Sequence, residues 1–389
     1  MKNSVSLYVH IPFCLSKCTY CDFYSVPCGA VPDSYITALL NEAAFRAQKN
    51  DFTEWETVYV GGGTPSLMTE KQTAVLFGGL KNIFGGKLPA EVTMEFNPCD
   101  VTAQKLDAAF RAGVTRISCG IQSFNEDVLK KVQRRSSRKD IDTALSCIKN
   151  TWRGIFSADM ISALPGESTG SFASGLEMLT GYMPDHISLY SLTLEEGTPL
   201  GDTYRSSAVP YDYDKADAMW ISGRDYLVRK GYEQYEISNF CLKGKECVHN
   251  KSYWEQQNYI GCGAGATGTI YGERSSATVR QTNTHNIPEY TEFWLQSSIQ
   301  KQDIPAETEY ISPETAAFEF FMMGLRTASG VCRETYETKF GTIFPLKTEE
   351  LFKKWKAEGK CTITERSGFH YYALTPAGML FLNEFLELL

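Results

Sequence analysis

The sequence predicts an α/β fold: a partial (β/α)6 barrel of the TIM type, followed by a small winged-helix-like α+β domain. Three observations carry this. The 389 residues exceed one ordinary core and suit two domains. Through the first two thirds, six strand-like runs alternate with helical patterns, the mark of a parallel sheet with right-handed crossovers. From Pro313 the order changes to helices followed by a hairpin.

The strand-like runs are Leu7–Ile11, Thr57–Val60, Val92–Phe96, Arg116–Cys119, Ser157–Ile161 and His186–Leu192. Helices are expected between them. Asp33 reads as the N-cap of a helix through Gln48, and Thr69 and Thr102 as caps of two more. Further helices should start near Asn125, near Asp140, at Ser168, and at Asp212 as far as Lys230. Residues 287–308 are polar and irregular, so the division is expected between a 1–286 barrel and a 287–389 C-terminal domain. In the latter, Phe318–Leu325 is an apolar helix and Glu349–Glu358 an amphipathic one. Cys361–Leu374 is a two-strand wing around Ser367-Gly368, and Pro376–Leu389 a closing helix.

Composition narrows the function. Hydrophobic residues are 43% and charged residues 22%, so the chain is globular. The net charge is −8 with no basic tract, so a nucleic-acid partner is not expected. No apolar run reaches the roughly 20 residues of a membrane span, and the N-terminus lacks the apolar core of a signal peptide. Twelve cysteines are too few for a disulfide scaffold in a chain this long. The expectation is a cytoplasmic protein with reduced thiols, some of them metal ligands.

His10-Ile-Pro-Phe-Cys14-Leu-Ser-Lys-Cys18-Thr-Tyr20-Cys21-Asp-Phe23 places three soft ligands on one loop just after the first strand. Structural zinc takes two separated ligand pairs, and no second pair stands at a suitable distance. Cubane iron–sulfur clusters usually take four thiolates. Three leave one iron open to a small molecule. Zinc, or an inert cysteine trio, is the competing reading.

CxxxCxxC after the first strand resembles the radical S-adenosylmethionine (radical SAM) superfamily. The residues flanking the cysteines narrow the resemblance to its oxygen-independent coproporphyrinogen oxidase-like branch. It implies a radical SAM barrel holding a [4Fe-4S] cluster on Cys14, Cys18 and Cys21. The open iron there chelates adenosylmethionine, and an electron from the cluster breaks the sulfonium to give a deoxyadenosyl radical. The resemblance also implies that Gly62, Gly63 and Thr64 of Gly61-Gly62-Gly63-Thr64-Pro65 meet the methionine amino group. Glu95 would hold the ribose hydroxyls, as a carboxylate can. Gln122, Arg134 and Asp159 would line the same site, Tyr8 and Tyr20 would sit near the cluster, and Thr193 would add a contact. Each polar residue alone could equally be a satisfied group at a barrel mouth. Their order at the strand ends, where barrel active sites lie, is what speaks for a site.

Two features separate members of the branch. Coproporphyrinogen oxidases carry a longer leader and a fourth cysteine, CxxxCxxCxC; here that place is Phe23. His249-Asn250-Lys-Ser-Tyr253-Trp254 is similar to the HNxxYW motif of the branch's haem chaperones, the HemW type. Those proteins commonly have histidine where this chain has Thr267. Imidazole suits haem iron and Tyr253 and Trp254 offer flat faces, so the resemblance implies His249 as a haem ligand. A histidine merely satisfied within the fold is the alternative. The partners implied are haem, client haemoproteins and a reductant such as flavodoxin or ferredoxin, with a second copy of the chain as a further candidate. The rival activity is radical decarboxylation of coproporphyrinogen propionates, or another porphyrin modification.

Overall fold

The computed structural model describes residues 4–389 apart from 51, 53, 209, 273–276 and 297–303. The six strands are present in the expected order: β1 (Ser4–Ile11), β2 (Glu54–Gly62), β3 (Glu91–Phe96), β4 (Arg116–Gln122), β5 (Ile155–Ser162) and β6 (His186–Ser191). They lie side by side and all parallel. Thr69, Thr102, Asn125, Ser168 and Asp212 each cap a helix by accepting a first-turn backbone N–H. The helix expected near Asp140 runs Arg138–Thr151; Ser137 is its cap and Asp140 closes the capping box.

Side chains alternate along the middle of these strands. One set is apolar and buried against the helices: Leu7 and Val9, Val58 and Val60, Val92 and Met94, Ile117 and Cys119, Ala158 and Met160, Ile187 and Leu189. The other set is polar: Tyr8 and His10, Thr57 and Tyr59, Thr93 and Glu95, Ser118, Ser157 and Asp159, His186 and Ser188. These polar residues face one another across the barrel interior and bond in pairs, such as Tyr59 to Glu95 and Ser118 to Asp159. Three strands run on past the ends expected for them, to Gly62, Gln122 and Ser162, whereas the sixth stops one residue early, at Ser191.

The sheet continues past the six strands. Among the described residues it has twelve. Beyond β6 lie β7 (Glu233–Gln234) and β8 (Asn239–Cys241), with β8 antiparallel to β6. Beyond β1 lie β9 (Tyr259–Cys262), parallel to it, and then the antiparallel strands β10 (Thr267–Ile270), β11 (Thr278–Asn283) and β12 (Ala306–Ile311). These strands are short and rich in Thr, Gly and Gln, which hides them from a reading based on apolar runs.

The described elements of 287–311, one helix and β12, do not join the second unit as expected. Helix Ile287–Trp294 buries Tyr290 and Trp294 in the barrel's core, and β12 pairs with β11. Residues 297–303 of the segment expected to be irregular lie outside the described residues. The separate second core begins with helix Pro313–Gly324 and includes Phe321, Phe352, Tyr372 and Phe385. Its wing, Cys361–Arg366 with Phe369–Leu374, turns at Ser367 and Gly368, both at positive φ. Helix Arg333–Phe340 precedes Leu346–Ala357, and the closing segment is two short helices rather than one. Among the described residues no helix is long and apolar enough to cross a membrane.

A buried charged cluster ties residues 281–290 to the barrel. Glu42, fully buried, accepts from Arg46 at 2.7 Å, from Asn283 at 2.8 Å, from the Gly263 N–H at 2.9 Å and from the Tyr290 hydroxyl at 2.6 Å. Arg46 also donates to Gln281 and Asn283. Removing the cation strands the carboxylate, so Arg46→Leu should cost about 3–5 kcal/mol in urea unfolding. A loss under ~1 kcal/mol would show that this cluster does not anchor the segment.

Candidate functional site

A cavity of about 500 Å³ opens at the C-terminal ends of β1–β6. The cysteine loop forms one wall. Backbone bonds pin it: a short parallel bridge joins Phe13–Cys14 to Val26–Pro27, and the N–H groups of Cys28 and Cys21 donate to the carbonyls of Cys14 and Cys18. Cys14, Cys18 and Cys21 all line the cavity, with Tyr20 among them. Cys14 Sγ lies 3.3 Å from the Thr64 hydroxyl, and the Arg134 guanidinium approaches Cys18 Sγ at 3.6 Å. Among the described residues no three His, Cys, Asp or Glu side chains close on one ion; the three thiols border open space instead.

The glycine run at the end of β2 packs under this loop. Gly63 donates its N–H to the Ile11 carbonyl at 2.9 Å, and a Cβ there would meet the Ile11 and Phe13 carbonyls at 2.8 Å. Gly62 has φ +108°, and a Cβ would strike the His10 ring. Close approach of His10 and of the start of the cysteine loop requires these glycines. His10 is held between the Tyr8 hydroxyl and the Tyr24 carbonyl, at 2.8 and 2.9 Å.

Two carboxylates stand on the cavity floor. Glu95 accepts from the Tyr59 hydroxyl at 2.8 Å and the Gly62 N–H at 3.2 Å. Burial, with the Asp159 charge adding to it, raises its pKa to about 7 against the hydrogen bonds. Asp159 accepts from the Ser118 hydroxyl at 3.0 Å, and burial raises it to about 6. Gln122 sits at a bulge in β4 with φ +69°. Its Oε1 is buried without a partner, as is Arg134 Nε, while another Arg134 nitrogen donates to the Gly120 carbonyl at 2.6 Å. Orphaned polar atoms in a cavity fit a polar ligand. The cavity thus gathers Cys14, Cys18, Cys21, Tyr20, Gly62, Gly63, Thr64, Glu95, Gln122, Arg134, Asp159 and Thr193.

Three residues lie elsewhere. Tyr8 is not on the cavity wall; its hydroxyl points to His10, inside the barrel. His249 is 1% exposed, its Nδ1 2.6 Å from the Thr57 hydroxyl and its Nε2 2.8 Å from the Tyr253 hydroxyl. Its ring stacks on Tyr59, and burial drives its pKa down to about 3, so it is neutral. With both nitrogens engaged, His249 has no lone pair free for iron. The arrangement matches the alternative, a histidine satisfied within the fold. Thr267 bonds Thr282 across β10 and β11.

Tyr59, Ser118, Tyr190 and Asn250 also line the cavity; Asn250 belongs to the HNxxYW segment, and no motif points to the other three. For the three on β2, β4 and β6 the alternation of polar residues was the available signal. A second cavity, of about 490 Å³, lies where helix Val248–Trp254 meets helix Pro313–Gly324 of the C-terminal domain. Tyr190 and Asn250 line both cavities.

Known proteins agree with this architecture. Residues 8–179 match the Radical SAM superfamily and residues 311–381 the HemN C-terminal domain. The chain is 33% identical over 391 residues to the "Heme chaperone HemW" of Escherichia coli, covering 99% of this chain and 97% of that one. It is 30% identical to the protein of that name from Bacillus subtilis, over 90% of this chain and 91% of that one. It is also 30% identical to the mitochondrial "Radical S-adenosyl methionine domain-containing protein 1" of Bos taurus, over 85% and 75%. In fold it matches coproporphyrinogen III oxidase (HemN) of Escherichia coli with TM-score 0.78, over 99% of this chain and 89% of that one, at 20% identity. Cysteine loop, barrel, C-terminal domain and near-full-length identity together make this chain a member of the HemW family of radical SAM proteins.

Proposed function

We propose that the protein is a haem chaperone: it binds haem, carries a [4Fe-4S] cluster with adenosylmethionine, and passes haem to client haemoproteins. The carrying observation is the identity, over nearly the whole chain, to relatives named heme chaperones. Phe23, exposed where the oxidases of the branch have a fourth cysteine, agrees with it. The reducing cytoplasm suits the twelve free thiols. Exposed Leu15 and Phe23 flank the thiols, so a flavodoxin- or ferredoxin-type donor can approach from that side.

Cys14, Cys18 and Cys21 would hold the cluster, which when bound supplies the electron that cleaves adenosylmethionine. The chain's own groups bind and orient that ligand. The Gly62–Thr64 backbone takes the amino acid end, Glu95 the ribose hydroxyls, and Gln122, Arg134, Asp159 and Thr193 the remaining polar edges.

Three outcomes are expected. Cys14→Ser, Cys18→Ser and Cys21→Ser each lose iron and sulfide on anaerobic reconstitution, whereas Cys28→Ser, Cys99→Ser and Cys119→Ser keep them; the reverse pattern would reassign the ligands. Ribose hydroxyls donate to ionised Glu95, and the free protein holds that group near pH 7. Adenosylmethionine affinity should therefore fall about tenfold per pH unit below ~7 and level off above it. Glu95→Gln should bind more weakly and lose this slope; a wild-type profile flat from pH 5 to 8 would remove Glu95 from the site. Anaerobic protein should bind haem stoichiometrically in a Soret titration and yield no protoporphyrinogen from coproporphyrinogen. Turnover would instead favour the oxidase.

A further inference from the structure

Gln122 reaches the first cavity from an unusual backbone. The Ser123 N–H donates to the Ile121 carbonyl at 3.0 Å, closing a three-residue turn whose central residue, Gln122, has φ +69°. Turns of this hand crowd an L side chain, so they are rare and persist only where neighbouring groups hold them. Ile121 is the extra residue of the bulge: Gly120 pairs with Asp159 and Gln122 with Met160. The Gln122 amide folds back over Gly120, where a Cβ would meet its Nε2 at 2.9 Å and an Arg134 nitrogen at 2.8 Å. The turn thus sets the amide beside the guanidinium, with Oε1 buried and unpartnered.

One buried contact holds that turn from outside the cavity. The Ser123 hydroxyl donates to Glu167 Oε1 at 2.6 Å and accepts from the Asn125 N–H at 3.1 Å. Both Ser123 and Glu167 are buried, and neither lines the cavity. Glu167 follows β5 on a fixed mount. Its N–H donates to the Leu164 carbonyl at 2.9 Å, its own carbonyl accepts from Lys215 Nζ at 3.3 Å, and the next residue, Ser168, caps helix Thr169–Gly181. Burial raises the Glu167 pKa to about 7. Ionised or protonated, the carboxyl keeps an oxygen that accepts from Ser123. The helix after the turn, Glu126–Lys131, is capped by the Asn125 side chain itself, so its start does not need Glu167.

We infer that Glu167 is a positioning residue for the first cavity: through the Ser123 hydroxyl it holds the Gln122 turn, and so fixes the amide that meets adenosylmethionine. This rests on the adenosylmethionine reading above. An amide already in place binds without a further loss of freedom, whereas a relaxed turn must be ordered again by the ligand. Glu167 touches no ligand and acts only through Gln122.

The test is equilibrium dialysis of adenosylmethionine against anaerobic, cluster-reconstituted full-length protein. Glu167→Leu and Gln122→Ala should each bind about tenfold more weakly, and the double variant no more weakly than either alone. Glu167→Gln, which keeps an acceptor for Ser123, should restore wild-type affinity. Before reconstitution, the Ser123 amide of Glu167→Leu should exchange hydrogen at least about tenfold faster than in the wild type. Ser123→Ala, a smaller change, should match Glu167→Leu in affinity and takes its place if that variant does not fold. Wild-type affinity in Glu167→Leu or Ser123→Ala, additive losses in the double variant, a Glu167→Gln protein as weak as Glu167→Leu, or unchanged exchange at Ser123 overturns the assignment. A wild-type protein that binds no adenosylmethionine overturns the reading of the cavity instead, and the exchange measurement then still decides whether Glu167 holds the turn.

Discussion

A barrel with a polar interior must satisfy every group it buries, and that constraint organises this molecule. β1–β6 each send apolar residues outward to the helices and polar ones inward. Within the lumen the polar groups bond across neighbouring strands: Ser6 with Thr57, Tyr59 with Glu95, Ser118 with Asp159, Ser157 with His186. Where protein partners run out, at the C-terminal strand ends, the lumen opens into the cavity lined by the cysteine loop. Fold and site are one pattern, differing only in whether the partner is a side chain or a small molecule.

The same constraint explains His249. A neutral imidazole between two hydroxyls, stacked on Tyr59, closes the bottom of the lumen, and the helix that carries it is fixed by the Glu91 carboxylate through the Val248 and His249 N–H groups. The HNxxYW segment is thus shared out. Its histidine serves the lumen, its asparagine touches both cavities, and its tryptophan faces the domain joint.

Most of the barrel was legible from sequence because strand and helix signals coincide: β-rich runs between good N-caps such as Thr69, Thr102 and Asp212. Cavity residues at strand ends were legible by motif. The flanking strands were not, since Thr267–Ile270 and Thr278–Asn283 carry little apolar signal and are fixed by pairing with distant partners. Residues 287–308 read as polar and irregular because the contacts that place helix Ile287–Trp294, from Tyr290 to Glu42 and from Asn41 to the Trp294 carbonyl, span more than 200 residues. Tyr8 and His249 were misplaced for a related reason. A motif gives a residue's address on the chain, and only packing says which way its ring points.

Three thiols around open space, beside carboxylates and orphaned amide and guanidinium atoms, are the centre of this account. Mössbauer spectroscopy of ⁵⁷Fe-reconstituted, oxygen-free protein addresses it most directly. A [4Fe-4S] cluster in which one iron site changes its isomer shift on addition of adenosylmethionine is the expected result. Four iron sites that ignore the ligand, or a preparation whose metal is zinc, would contradict it.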